Sequence, residues 1–89
     1  MGSYDDFPYE LTAHARFALA ERGIRACWVQ RVLVHPDRVE PDGADPGLWH
    51  AIGAIEEHGG RLLRIVYDHE ATPWRIVTAF FDRRERRGT

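Results

Sequence analysis

The sequence predicts an α+β fold: two N-terminal helices packed on a three- to four-stranded antiparallel sheet. Three observations carry that expectation. Residues 13–22 and 25–34 space their apolar side chains at helical intervals. Three later stretches, "LWHAIGAIE" (48–56), "RLLRIVYD" (61–68) and "WRIVTAFFD" (74–82), are rich in β-branched and aromatic residues. The connections "EHGG" and "HEATP" are short enough to turn the chain straight back, so these strands run antiparallel. Helices grouped ahead of strands argue against an alternating, parallel α/β sheet.

Each element has its own local reason. Residues 1–8 are expected to be a flexible start, and "YELT" to add a short strand. Thr12 is suited to cap the first helix, because its hydroxyl can accept from the unpaired amides of the first turn. Leu11, Ala15, Ala18, Leu19 and Arg22 form one stripe of that helix, and Gly23 suits a left-handed stop. In the second helix Trp28, Val29, Val32 and Leu33 share a face, and Pro36 closes it. "HPDRVEPDGADPG" holds three prolines among acids and glycines and reads as a solvated connection of about 12 residues. Its acids do not follow an EF-hand spacing, which excludes that form of calcium site. The last two strands are apolar on both faces, so one is expected to be central, with helices on one side and partial cover on the other. "DRRERR" reads as a charged tail.

The length of 89 residues suits one domain, with a core over 9–84 and a tail over 85–89. All 12 basic residues are arginine; the net charge is −2 and the pI about 6.2, which argues against a strongly basic, non-specific nucleic-acid binder. Charge is unevenly spread: residues 1–10 and 36–47 each carry −3, and the rest sum to +4, enough for a locally basic face. The one cysteine, Cys27, has no disulfide partner within the chain, and no basic-then-apolar leader or apolar run of ~18 residues occurs, so a cytoplasmic protein without a membrane span is expected. Cys27 stands beside Trp28 near an apolar stripe, where an inert, buried thiol is the expectation. Histidines 14, 35, 50, 58 and 69 form no HxH or HxxxH pair, so neither a metal nor a cofactor is expected. The glycine pair at 59–60 lies in a hairpin and not at a helix start, where a phosphate loop belongs.

"HARFALAERGI", "HPDRVEPD", "GRLLRIVYD" and "RIVTAFFDRR", in this order from His14 to Arg84, resemble the bacterial domain-of-unknown-function family 4258. The matching positions are His14, Arg22 and Gly23 in the first helix, Gly60 and Tyr67 in the strand hairpin, and Thr78, Asp82 and Arg83 near the end. Many relatives carry an arginine one helical turn after the histidine, where this chain has Ala18. The family is regarded as a distant relative of the RelE and BrnT toxins, small cytosolic ribonucleases neutralised by a co-expressed antitoxin. The resemblance therefore implies a RelE/BrnT-like α+β fold and a toxin-like endoribonuclease with a small antitoxin partner.

A metal-independent ribonuclease needs a base for the 2′-hydroxyl, an acid for the leaving oxygen, and cations for the developing charge. The residue types that can supply these are His50, Arg64, Arg75, His14 and Tyr67 for catalysis, with Arg22, Arg61, Arg83 and Arg84 for holding RNA. If the "HEATP" hairpin sets Arg64 and Arg75 on one face, they form a two-arginine clamp beside His50; otherwise they pair with Asp68, Glu56 or Glu70. The register decides this, and a one-residue slip reverses it. His14 and Arg22 lie eight apart on nearly one helix face, from which both are expected to look towards the sheet, His14 as a base or as a bridge. The alternative to catalysis is a non-catalytic protein-binding module on the same fold, whose apolar sheet surface takes an antitoxin, another protein or a second copy.

Overall fold

The computed structural model describes residues 9–86, with side chains through Asp82. The expectations for residues 1–8, for the Arg83 and Arg84 side chains and for the end of the tail lie outside the described residues. The elements are β1 (Tyr9–Leu11), α1 (Ala13–Arg22), α2 (Ala26–Val34), β2 (Arg38–Pro41), β3 (Leu48–Ile55), a 3-10 turn (Glu56–His58), β4 (Arg61–Asp68) and β5 (Trp74–Arg86). The fold is α+β, as expected. The sheet differs from expectation: it has five strands in the order β1-β5-β4-β3-β2 and is mixed, because β1 runs parallel to β5.

The two extra strands have separate causes. β1 reaches β5 only after the helices and the whole meander intervene, so its direction is set by tertiary placement and not by a turn. β2 lies inside the segment expected to be a connection. Its pairing from Arg38↔Ile52 to Pro41↔Trp49 ends on Pro41, and β2 is a sheet edge, which tolerates proline. The remainder of that segment is ordered by Asp42, whose Oδ2 accepts from the amides of Ala44 and Asp45, each at 3.0 Å. β5 also continues to Arg86, so residues 85–86 belong to a strand and not to a tail.

Local chemistry places α1 as anticipated. Thr12 Oγ1 accepts from the Ala15 amide at 3.0 Å, and Gly23 closes the helix at φ 65°. The same helix covers an exposed edge. β1 pairs with β5 only from Trp74 to Ile76, and beyond that α1 supplies donors to the strand's carbonyls. The Thr12 amide reaches Ile76 O at 3.1 Å, the Thr12 hydroxyl reaches Val77 O at 3.3 Å, and Arg22 Nη1 reaches Ala79 O at 2.8 Å. Backbone acceptors that would otherwise invite another chain are thus satisfied.

Both helices pack on one sheet face. Ala15, Leu19, Ile24, Trp28, Val29, Val32 and Leu33 meet Ala51, Ile55, Leu63, Ile65, Tyr67, Ile76 and Ala79 in a single buried cluster. Gly53 permits the closest approach: a Cβ there would lie 3.1 Å from Val32 Cγ2. Ala18 is 1 % exposed, so this position of α1 is packed against the sheet. Cys27, expected inside, is exposed on the outer side of α2, off the stripe of Trp28, Val29 and Val32.

Candidate functional site

On the sheet face away from the helices, β2, β3, β4, β5 and the turn that follows β2 bring five polar side chains together. Alternation along β4 sends Arg64 to this face, and the register places Ile52 and Phe80 on either side of it. His50 and Glu40 are cross-strand partners on β3 and β2. Arg64 Nη1 lies 2.9 Å from His50 Nδ1 and 3.4 Å from Glu40 Oε1, while its Nε and Nη2 donate to Asp82 Oδ2 at 3.2 and 3.0 Å. On its other side, His50 Nε2 lies 2.7 Å from Asp42 Oδ1.

Hydrogen-bond chemistry assigns the histidine tautomer. A guanidinium only donates, so His50 Nδ1 must accept, leaving the proton on Nε2, which donates to Asp42. This is a neutral imidazole with both nitrogens engaged. The His50 bond, helped by the Ala44 and Asp45 amides, holds the Asp42 carboxyl at about 2, below its ordinary 3.8. Glu40 is lowered as well, chiefly by the hydrogen bond from Arg38. With His50 neutral, Glu40, Asp42, Asp82, Arg38 and Arg64 sum to −1. A base needs a free lone pair and a phosphate needs an unclaimed cation, and among these described groups neither is offered.

The other expected site residues are dispersed. Arg75 shares the parity of Arg64, because the bulge at Val77 restores it, yet it sits opposite Asp68, four residues along β4 and so ~13 Å away. Its nearest ion partner is Glu10, at 3.9 Å. The two-arginine clamp is therefore not formed. Arg64 also takes partners other than the three named from sequence: Asp82 and Glu40 in place of Asp68, Glu56 or Glu70. His14 is exposed on α1 and bonds to no described residue, so it neither bridges to the sheet nor meets His50. Arg22, two turns on, is the residue that reaches β5. It lines, with Arg61, His58 and Phe81, a cleft of about 400 Å³. There His58 stacks on Phe81 at 4.5 Å, and the Arg61 guanidinium lies 5.4 Å from the same ring.

Tyr67 faces the helix side, on the opposite face from His50 and Arg64. It forms the floor of an apolar groove of about 530 Å³ beyond the end of α2, walled by Trp49, Trp74, Leu33, Pro36 and Val39. Trp49 stands at right angles to Tyr67 with ring centres 6.4 Å apart, and Trp74 lies on its other side at 4.7 Å. His69 stacks on Trp49 at 3.8 Å, backing the rim. Burial raises the Tyr67 phenol above its ordinary 10. Val39 and Trp49, 45 % and 37 % exposed, place two large hydrophobic side chains on this groove. Sequence reading singled out Asp82 only as a position shared with the family and did not place it or Asp42 beside Arg64 and His50, nor did it find the groove. The "EHGG" hairpin pairs Ile55 with Arg61, and counting back from it gives Trp49↔Tyr67, so half of the groove was open to deduction.

Among the described residues, no three His, Cys, Asp or Glu side chains converge as a metal would require. No helix among them is long and apolar enough to cross a membrane.

The chain is a small α+β domain with one sheet face closed by its own ion pairs and an aromatic groove on the other. Residues 11–81 match the domain of unknown function family DUF4258, and the chain belongs to that family. No curated protein and no solved structure matches it.

Proposed function

We propose that this protein acts by holding a protein partner in the Trp49–Tyr67–Trp74 groove, as a non-catalytic binding module. The observation that carries this reading is the groove itself: three aromatic walls, a volume of about 530 Å³ and two exposed hydrophobic side chains on it. The state of the polar face supports it, since His50 has no free ring nitrogen and Arg64 is shared among Asp82, Glu40 and His50.

A second reading is a toxin-like, metal-independent endoribonuclease neutralised by a small antitoxin, in keeping with the RelE/BrnT likeness. Its supporting observation is the cleft lined by Glu21, Arg22, Arg61, His58 and Phe81, which sets two arginines beside a histidine. One experiment ranks the two. The protein is expressed at high level in a bacterium, with a photo-crosslinking residue at Val39 or, as a control, at His14. The binding reading expects normal growth, intact RNA and a protein adduct from position 39 alone. Growth arrest with RNA loss, relieved by His50→Ala or Arg22→Ala, reverses the order.

A further inference from the structure

We propose that the cleft of Arg22, His58 and Arg61 binds a phosphate monoester, a small dianionic ligand. The site is independent of the aromatic groove: Arg61 opens β4, whereas Tyr67 stands next to its other end. The first argument is that its cations are held in place without a carboxylate partner. Arg31, Arg38, Arg64 and Arg75 stand against carboxylates at 2.8, 2.7, 3.0 and 3.9 Å. Arg22 and Arg61 meet none among the described residues. Arg22 is tethered through Nη1 alone, which donates to Ala79 O at 2.8 Å and Thr78 Oγ1 at 3.4 Å, so Nε and Nη2 remain for a ligand. The Arg61 guanidinium rests 5.4 Å from the Phe81 ring and donates to no described residue. His58 lies between Phe81, at 4.5 Å, and Trp28, at 5.6 Å, and neither ring nitrogen bonds to a described residue.

Charge makes the second argument. Two guanidiniums and an imidazole border one volume of about 400 Å³. A phosphate monoester concentrates about −1.5 to −2 on one group at neutral pH, whereas a diester carries only about −1. Guanidinium forks match phosphate oxygens in pairs, so two of them suit the doubly charged group. The Phe81 ring is taken by His58 and Arg61, so recognition rests on the phosphate and not on a base stacked there. Register makes the third argument. Arg61 pairs with Arg86, which brings the run Arg83, Arg84, Glu85 and Arg86, formally +2, alongside this end of β4. Glu21 also lines the cleft, yet it pairs with neither arginine, so its charge opposes an anion without neutralising the site.

The test is a titration of the full chain near neutral pH in low salt, followed through its arginine Nε–H and histidine ring resonances. The probes are inorganic phosphate, uridine 5′-monophosphate and the dinucleotide UpU, whose one phosphate is a diester. The first two are expected to saturate and to shift Arg22, Arg61 and His58, with UpU about tenfold or more weaker, roughly the factor for one charge-assisted contact. Arg61→Gln should weaken the monoester by about tenfold, and Arg61→Lys, which keeps the charge, by less. Glu21→Gln, on the exposed wall, should tighten binding by about two- to threefold, as expected for removing a like charge at the surface. Arg75→Gln, on the opposite face, should change nothing. Binding of UpU as tight as the monoester overturns the proposal, because the cleft is then a diester site of the kind a ribonuclease needs. So does binding of inorganic phosphate alone, an absence of saturation, or an equal loss from Arg61→Gln and Arg75→Gln. Should Arg61→Gln fail to fold, Glu21→Gln decides: no gain in affinity overturns the site.

Discussion

The two faces of the sheet solve the problem of burial in opposite ways. Beneath the helices, fourteen buried apolar residues meet without a charged side chain among them, and the stabilisation scales with the area removed from water. On the other face Asp82, 4 % exposed, is a buried ion held by Arg64, with Ile52, Leu62 and Val66 buried on the same side. An apolar face tolerates loss of a group in proportion to its size. A charged face does not, because removing one partner leaves the other in a medium that penalises it. The difference also separates the functions each face can serve. A saturated ion network has little left for a ligand, whereas the helix face has a vacancy where α2 ends before the sheet does.

Two substitutions break this comparison hardest. Leu63→Ala, at a site fully buried beneath the helices, should cost about 3–4 kcal/mol of unfolding free energy, the transfer and cavity terms together. Arg64→Met should cost about 3 kcal/mol although it preserves much of the volume, since it withdraws two charge-assisted bonds from the buried Asp82 carboxylate. Adding Asp82→Leu should then return most of the loss, while no second change beside Leu63→Ala does so without refilling the hole. Urea denaturation of the four proteins decides it. If Arg64→Met and the double variant are equally unstable, Asp82 does not depend on Arg64 and the network is not a closed unit.

How far these faces were legible from sequence follows from how local their causes are. Thr12, Gly23 and the stripe of Ala15, Ala18 and Leu19 act within a turn or two of chain, and their roles can be read directly. Strand β2 could not be read that way: Arg38–Pro41 is a strand because β3 lies beside it, and its own residues resemble a loop. The face of Arg75 depended on the bulge at Val77, a shift that no pattern of hydrophobicity announces. His50 and Arg64 were singled out for chemistry they could perform in isolation. Glu40 and Asp42, which engage them from one stretch of chain, and Asp82, from another, reach them only once the strands are paired, so their pairing is a property of the assembled sheet.

A smaller effect tests the boundary between the faces. Thr12 both caps α1 and donates to Val77 O, so Thr12→Ala should cost about 1 kcal/mol, while Thr12→Ser keeps both bonds and should cost less than half of that. Equal losses for the two would assign the effect to the methyl group.

The smallest expected effect concerns the turn that borders both faces. Asp42 is held near 2 by the proton donated from His50 Nε2 and by the amides of Ala44 and Asp45. A carboxyl whose folded value lies below its unfolded one contributes stability that is fully present above the unfolded value. That stability is lost as pH falls through the folded one. The window here runs from about 3.8 down to about 2. Amide resonances of Ala44 and Asp45, followed through an acid titration, should therefore shift with a midpoint near 2, while Gly53, packed against Val32 on the helix face, stays still. Asp42→Asn should abolish the titration and raise the exchange rate of those two amides. A midpoint at 3.8 would mean that Asp42 stands free of His50. The ring would then have a nitrogen available for the acid–base work that the closed network denies it.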